Sequence, residues 1–200
     1  GIDVTVVEVR KNENPLGYFA ITDSLREDSA TAIENLKSLG ITSIMATGDR
    51  MEVAMQVARD VGIKEVYSEI HPEDKLSLIQ KIQISGSKVL MVGDGINDAD
   101  ALRGAHVGIA MGSGMDLAVD NADIVIVKGG LSKVVAVVRI AKKTKKVIYQ
   151  NLFGAFLYNI IAIPLAMSGL LHPIVAEVAM AASSITVILN SMRIAGSSTD

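Results

Sequence analysis

A hydroxyl, a glycine and a carboxylate come together at one strand-like boundary, as Thr47, Gly48 and Asp49. The apolar run before them, residues 41–46, has the β-branched character of a strand, and residues 51–61 after them have helical spacing. In open α/β sheets, functional groups gather where strands end and helices begin. A hydroxyl, a flexible glycine and the free amides of a helix N-terminus can hold a phosphate there. A Thr-Gly-Asp turn is also a common helix start, so this segment alone does not define a site.

Two carboxylates, those of Asp94 and Asp98, stand four residues apart in the loop Gly-Asp-Gly-Ile-Asn-Asp, which follows the apolar run 88–92. Mg²⁺ takes oxygen ligands in near-octahedral order and usually keeps waters and a substrate phosphate oxygen. The sequence therefore predicts a Mg²⁺ site in this loop, with Asp94 as a ligand and Asp98 as a further candidate. The alternative interpretation is a solvated acidic turn.

A lysine, Lys75, lies near the start of a predicted helix over residues 72–84. A lone lysine at such a position is usually a solvated surface residue. Together with a phosphate-binding Thr47 and a Mg²⁺-binding Asp94, it would supply the cation that neutralises a phosphoryl group during transfer. The order hydroxyl, lysine, paired acids along one sheet is more specific than any one of these residues.

The elements that must position these side chains alternate between strands and helices. Predicted strands cover residues 4–9, 18–21, 41–46, 66–67, 88–92, 107–111 and 124–127, and predicted helices cover residues 30–39, 51–61 and 72–84. Strands that alternate with helices imply a parallel sheet covered on both faces. The predicted fold class is therefore α/β, with a doubly wound parallel sheet.

Composition divides the 200 residues into two unlike parts. The whole chain carries 19 Lys and Arg against 22 Asp and Glu, but the segment up to Lys128 has 12 basic and 20 acidic residues, and the remainder has 7 and 2. This balance makes nucleic acid a poor partner. Half of all residues are apolar and none is Cys, which argues against a disordered chain and excludes disulfides and a thiol nucleophile.

The basic, apolar part predicts a transmembrane hairpin with spans near residues 147–170 and 174–194, separated at Gly169 and His172-Pro173. Basic residues flank the spans on one side: Arg139, Lys142, Lys143, Lys145, Lys146 and Arg193. Both ends of the hairpin are therefore expected on the cytoplasmic side, with the α/β part, which is consistent with a plasma membrane location. A soluble helical hairpin is the alternative, but neither stretch shows a polar face.

These motifs resemble the C-terminal part of a P-type cation-transporting ATPase, whose phosphorylation domain has a haloacid dehalogenase-like fold. The resemblance covers nearly the whole chain: Asp23-Ser24-Leu25-Arg26 is similar to the family's Asp-x-x-Arg segment, Thr47-Gly48-Asp49 to its second phosphate motif, Lys75 to its lysine, and residues 93–98 to its magnesium loop. It implies ATP and Mg²⁺ as cofactors, with Asp23 and Arg26 near the nucleotide and Asp94 on the metal. Asn97 and Asp98 would order the loop and the phosphate. Arg50 and Asp100 depart from the pattern, which usually has Asn and Pro there.

The resemblance implies three segments and a missing partner. Residues 1–22 would end a nucleotide-binding domain, residues 23–138 would form the phosphorylation domain, and residues 139–200 would form a basic linker and the two membrane helices. The family's aspartate nucleophile lies in an Asp-Lys-Thr-Gly-Thr motif that this sequence does not contain. The chain alone is therefore expected to be inactive, and to need upstream nucleotide, actuator and membrane segments.

The two spans contain residues that resemble the metal-selecting positions of copper(I)-transporting members, namely Asn151, Tyr158, Asn159, Met180, Ser183 and Ser184. A thioether is a soft ligand suited to Cu(I), and polar groups inside a membrane are expensive unless they face a pathway or a partner helix. Taken singly, methionine can be lipid-facing filler, and serine can serve helix packing.

Two residues near the outer end of the second span, His172 and Glu177, leave zinc or cobalt open as the transported ion. Two other classes also remain: a truncated, non-catalytic membrane partner, and a membrane-anchored phosphatase. The phosphatase is disfavoured because no Asp-x-Asp pair follows the first strand.

Overall fold

The computed structural model describes residues 5–12, 14–21, 25–94, 97–112, 120–169 and 172–195. It divides into two compact units, Gly1–Val134 and Val135–Asp200, which are described separately below. The three-segment division inferred from the sequence stays a prediction.

The first unit begins with an antiparallel hairpin of β1 (Thr5–Lys11) and β2 (Asn14–Ile21). Asn12, at the turn, has a positive φ of 57°, a conformation that asparagine tolerates better than most residues. Both strands are longer than predicted. The Pro and Gly residues within β2 suggested a loop, but a hairpin strand tolerates them at its edge.

Parallel pairing organises the rest of the first unit, which confirms the predicted α/β fold with parallel sheets. β3 (Ile44–Ala46) pairs with β4 (Glu65–Tyr67) in one sheet. β5 (Leu90–Gly93), β6 (Val107–Met111) and β7 (Ile124–Ile126) form a second sheet in that order. Among the described strands, β3 and β5 each pair on one side only.

Among the described residues of the first unit, four helices with given bounds follow the predicted order, and α4 was not predicted. They are α1 (Ser29–Ser38), α2 (Met51–Val61), α3 (Pro72–Ile84) and α4 (Ala99–Gly104). Gly62 ends α2 in the left-handed conformation, with φ of 83°, and Pro72 starts α3 at a position where its missing N–H is not needed. The sequence did not reveal α4, because six residues are too few to show helical periodicity.

The core beneath the second sheet forms where α4 packs on β6. Leu102 and Ala110 are almost fully buried, with Met91, Ala122 and Val125 around them. Gly108 makes this contact close: a Cβ there would lie 2.6 Å from the Leu102 carbonyl oxygen. The loop after β5 is therefore tied to the sheet through α4.

The second unit contains two helices, α5 (Leu131–Met167), whose first four residues belong to the first unit, and α6 (Pro173–Ala195). Both helices are long and apolar enough to cross a membrane by length and composition. The basic stretch expected before the first span is helical, because α5 runs unbroken through residues 139–146. Lysine and arginine are good helix formers, and Gly or Pro does not interrupt residues 131–146.

Polar side chains connect α5 to α6 within the second unit. The Asn151 side-chain amide donates to Ser191 Oγ at 2.9 Å, and that of Asn190 donates to Asn151 Oδ1 at 2.8 Å. Farther along, the Tyr158 hydroxyl donates to the Ala176 carbonyl oxygen at 3.1 Å. Such interhelical bonds are a common means of holding helices together in an apolar environment.

Candidate functional site

The turn after β3 is closed by hydrogen bonds of its own residues. The Thr47 hydroxyl donates to Asp49 Oδ2 at 2.8 Å, and the Asp49 N–H donates to Thr47 Oγ1 at 3.1 Å. The Thr47 N–H also donates to the carbonyl of Tyr67, at the end of β4. Gly48 and Asp49 are exposed and Thr47 is half-buried, so this turn presents a hydroxyl and a carboxylate at the carboxyl end of β3.

Asp94 directly follows β5 and is exposed. Its Oδ1 atom accepts a hydrogen bond of 3.3 Å from the N–H of Asn97, which is also exposed. Gly95 and Ile96 lie outside the described residues. The bond uses the backbone of Asn97, so the role of its side chain in ordering this loop stays a prediction.

Lys75 and Asp98 form an ion pair, with 2.6 Å between Nζ and Oδ1. Their side chains are only 14% and 11% exposed. The pair joins α3 to Asp98, the residue that precedes α4. It therefore brings together two of the predicted site residues that lie 23 positions apart.

Gly93 provides the space that the Asp98 carboxylate occupies. A Cβ at Gly93 would lie 2.7 Å from Asp98 Cβ and would also collide with the carboxylate. The glycine is therefore required by the close approach of the Asp98 side chain to the end of β5.

The donor set around Asp94 fits Mg²⁺. Within the described ranges, no group of three or more His, Asp and Glu side chains gathers into a metal cluster. Mg²⁺ is commonly held by one or two carboxylates, with waters and phosphate oxygens completing its octahedron. An exposed carboxylate after β5 matches that requirement, whereas the second candidate, Asp98, is engaged by Lys75.

Two residues at the start of α1 bind the segment that leads into α5. The Arg26 guanidinium donates to the Gly129 carbonyl at 2.9 Å, so its predicted place near a nucleotide stays a prediction, and Asp23 lies outside the described residues. Asp28 Oδ2 accepts the Ser132 N–H at 2.9 Å. Hydrogen bonds from the Ser132 backbone and hydroxyl hold the pKa of the Asp28 carboxyl below its usual value.

The Asp28 contact was not found from the sequence. Asp28 makes no side-chain cap bond to α1 and instead caps the N-terminus of α5. A Cβ at Gly130 would collide with the Asp28 carboxylate, so a glycine before a long helix was the signal that could have pointed to it.

The predicted ion-binding residues of the second unit differ in their surroundings. Tyr158 bridges the two helices, whereas Met180 is 60% exposed and Asn159 is exposed as well. Ser183 is half-buried, and the Ser184 hydroxyl donates to the Met180 carbonyl within α6. Met180 and Asn159 therefore present their side chains outward from the hairpin.

A family model described as haloacid dehalogenase-like hydrolase matches residues 1–106. The chain therefore belongs to the haloacid dehalogenase-like hydrolase family.

Nearly all of the chain also aligns with P-type ATPases. It is 45% identical over 192 residues to a probable copper-importing P-type ATPase A of Enterococcus hirae, with 95% of this chain and 26% of that protein covered. It is 42% identical over 190 residues to a probable copper-exporting P-type ATPase V of Mycobacterium tuberculosis, with 95% and 25% covered. The chain thus spans about a quarter of the length of the curated relatives it matches.

The fold of a solved pump extends the comparison to both units. A zinc-transporting PIB-type ATPase in its E2.Pi state has a TM-score of 0.82 and 36% identity, with 96% of this chain and 31% of that chain covered. The predicted resemblance to the C-terminal part of a heavy-metal P-type ATPase is confirmed, and so is the prediction of a membrane protein.

Proposed function

We propose that this chain supplies the phosphate- and magnesium-binding half of the phosphorylation site of an ATP-driven heavy-metal pump, together with two of its membrane helices. The observation that carries the proposal is the ion pair of Lys75 and Asp98, which fixes a cation against the last residue of the predicted magnesium loop. The alignment with P-type ATPases over 95% of the chain supports the same conclusion.

Each residue of this half-site has a separate role. The Thr47 hydroxyl and the Gly48 amide would bind phosphoryl oxygens, and Lys75 would neutralise charge on them. Asp98 keeps the Lys75 ammonium in position, and Asp94 would hold Mg²⁺. The metal, when bound, would neutralise the phosphoryl group as it transfers.

The nucleophile would come from another part of the pump. This sequence lacks the Asp-Lys-Thr-Gly-Thr motif, and the described strands include two parallel sheets in which β3 and β5 each keep an unpaired edge. A strand that carries the aspartate would be accommodated between these two edges. Both edge strands end beside predicted phosphate or metal ligands, so the aspartate would arrive beside them.

An aspartate replacement tests this assignment in the pump that contains this chain. Asp94→Asn should abolish Mg²⁺-dependent phosphorylation by radiolabelled ATP, because the metal loses its charged ligand. Asp100→Asn removes an exposed carboxylate from the neighbouring helix turn and serves as the matched control, which should keep at least about half of the phosphoenzyme. Undiminished phosphorylation in Asp94→Asn would overturn the assignment.

Cu(I) is the transported ion that the membrane residues favour. Met180 offers an outward-facing thioether, and the two relatives described above carry names that specify copper. Their names give opposite directions, import and export, so direction is not part of the proposal.

A divalent ion such as zinc is the second candidate. A zinc-transporting ATPase is among the structural matches, and Glu177 lies one turn inside α6, where a carboxylate would suit a divalent ion.

Substitution of Met180 separates the two ions. Met180→Leu should reduce copper-stimulated ATP hydrolysis by the pump at least about tenfold, since leucine keeps the volume and removes the ligand. Met192→Leu, at another exposed position of α6, is the control. Intact copper stimulation in Met180→Leu, combined with zinc stimulation that is lost in Glu177→Gln, would favour the divalent pump.

A further inference from the structure

A basic and aromatic surface lies on α5 just before its most apolar stretch. We call it the lysine face, and it consists of Lys142, Lys145, Lys146, Tyr149, Gln150 and Phe153. Spacings of three and four residues put all six side chains on one side of the helix. They line a shallow, open depression of about 510 Å³.

The charge of the lysine face is not balanced by its own helix. The 37 residues of α5 include no Asp or Glu, and the only acidic residues of the chain after Lys128 are Glu177 and Asp200. Lys143, between the lysines of the face, donates instead to the Arg193 carbonyl at 2.7 Å. Three ammonium groups thus share a depression whose lining residues contribute no negative charge.

Helix geometry places the lysine face at the boundary between lipid and water. The 21 residue steps from Lys146 to Met167, the end of α5, correspond to roughly 32 Å at 1.5 Å per residue. The hydrocarbon core of a bilayer is about 30 Å thick. If α5 crosses the membrane over this stretch, the three lysines lie at headgroup depth and Phe153 lies among the first acyl carbons.

The aromatic side chains fit this depth. The Lys145 ammonium lies 5.9 Å from the centroid of the Tyr149 ring, so one lysine is already directed over that ring. Tyrosine is enriched at membrane interfaces because its ring is apolar and its hydroxyl is polar. The lysine face is thus basic on its water-facing side and apolar on its lipid-facing side. An anionic phospholipid has the matching arrangement, with a negative headgroup towards water and acyl chains towards lipid.

We propose that the lysine face binds the headgroup of an anionic phospholipid. Its phosphate would lie among the ammonium groups of Lys142, Lys145 and Lys146, and an acyl chain would lie along Tyr149 and Phe153. Basic residues next to a membrane span attract anionic lipids through their charge. Basic residues at this position also influence the orientation of the helix in the membrane. The depression and the aromatic side chains additionally provide a binding site for a single lipid molecule.

The test uses the 200-residue chain in micelles that contain equal amounts of phosphatidylglycerol and phosphatidylcholine, with retained lipids counted by native mass spectrometry. The expected result is one phosphatidylglycerol retained in preference to phosphatidylcholine. The triple variant K142Q/K145Q/K146Q should lose that preference, by about fivefold for each lysine removed. The control K37Q/K64Q/K133Q removes three charges from outside the face and should keep the preference.

Several outcomes would overturn the proposal. One is equal retention of the two lipids by the native chain, and another is a preference for phosphatidylglycerol that survives in the triple variant K142Q/K145Q/K146Q. The third is an equal loss of this preference in the triple variant and in the control, which would indicate attraction by net charge only. Displacement of the lipid by millimolar glycerol 3-phosphate would indicate a soluble phosphate site instead. Unchanged helical circular dichroism in both variants verifies folding, and Asp94-dependent phosphorylation tests the pump function separately.

Discussion

Lys75 and Asp98 illustrate how a single contact sets the chemistry of the site. The Asp98 carboxylate lies 2.6 Å from the Lys75 ammonium and fixes it in position. Fixed charges that need no reorganisation stabilise a transferring phosphoryl group more than mobile ones. The pair therefore contributes both to the fold and to the proposed phosphate site.

Removal of one partner should destabilise the first unit. Lys75→Met leaves the Asp98 carboxylate buried and uncompensated, so the free energy of unfolding should fall by about 3–5 kcal/mol. Lys81→Met, on an exposed position of the same helix α3, should change it by less than about 0.5 kcal/mol. Urea unfolding in detergent, followed by circular dichroism, measures both. Equal midpoints for the two variants would show that the pair does not stabilise the fold.

The structure brings Lys75 and Asp98 into direct contact, a pairing that the sequence did not predict. Lys75, Asp94 and Asp98 were expected around one phosphate and metal site, with both aspartates as candidates for the metal. Which carboxylate receives the lysine depends on how α3 packs against α4, and α4 itself was not visible in the sequence. The required glycine at position 93 likewise follows from this packing, because its Cα faces the Asp98 side chain.

Among the elements, the start of α5 depends on a residue more than 100 positions earlier in the chain. Asp28 accepts the Ser132 N–H, and Arg26 binds the Gly129 carbonyl, so the first turn of α5 is fixed to the start of α1. Free N–H groups at a helix N-terminus favour a negative charge beside them. The cap should therefore weaken when the Asp28 carboxylate is protonated.

The pKa of Asp28 determines the direction of this pH effect. Because it is lower in the folded chain than the ordinary value, the carboxylate stabilises the fold above about pH 4, the unfolded value. That stabilisation is lost as the pH falls through the folded pKa. Protection of the Ser132 amide from hydrogen exchange, corrected for intrinsic rates, should therefore be lower at pH 3 than at pH 6.

Asp28→Asn should show weak protection at both pH values, while the neighbouring Glu27→Gln should behave like the native chain. Protection in Asp28→Asn that still falls with pH as in the native chain would assign the effect to another group.

Element boundaries show what local patterns can and cannot predict. Helices α2 and α3 were predicted to the residue, since each begins or ends at a glycine or proline signal. The predicted span begins near residue 147, where the apolar stretch begins, whereas the helix α5 begins at Leu131. A charged helical turn and a charged linker have similar composition, so only the tertiary contacts of Asp28 and Arg26 distinguish them.

For the whole molecule, the main prediction concerns the molecular mass of the protein that contains this chain in its native membrane. An antibody against the first unit should detect a species several times heavier than 21.1 kDa, because relatives that match 95% of this chain are about four times longer. Denaturing electrophoresis of source membranes measures this, with the purified 200-residue chain as the size control. A single band at the size of the control would favour the truncated, non-catalytic partner.

The division into two parallel sheets is the feature of the whole fold that sequence reasoning did not predict. Alternating strands and helices implied one continuous sheet, and the order of β5, β6 and β7 agrees with that expectation. Strands β3 and β4 have three residues each. Strands this short contain no sequence pattern that would identify a neighbouring strand from another part of the pump. The family resemblance indicated a missing nucleophile, and the place proposed above for its strand rests on the unpaired edges of β3 and β5.

The open edges of β3 and β5 also affect how the chain behaves when it is produced by itself. Unpaired strand edges expose rows of N–H and C=O groups that can template association with other chains. The hairpin β1–β2 adds large apolar side chains in the open, with Leu16, Tyr18 and Phe19 each at least 65% exposed. Preparations of the chain alone should therefore become turbid with rising concentration, and a synthetic peptide strand with the missing sequence should suppress that aggregation.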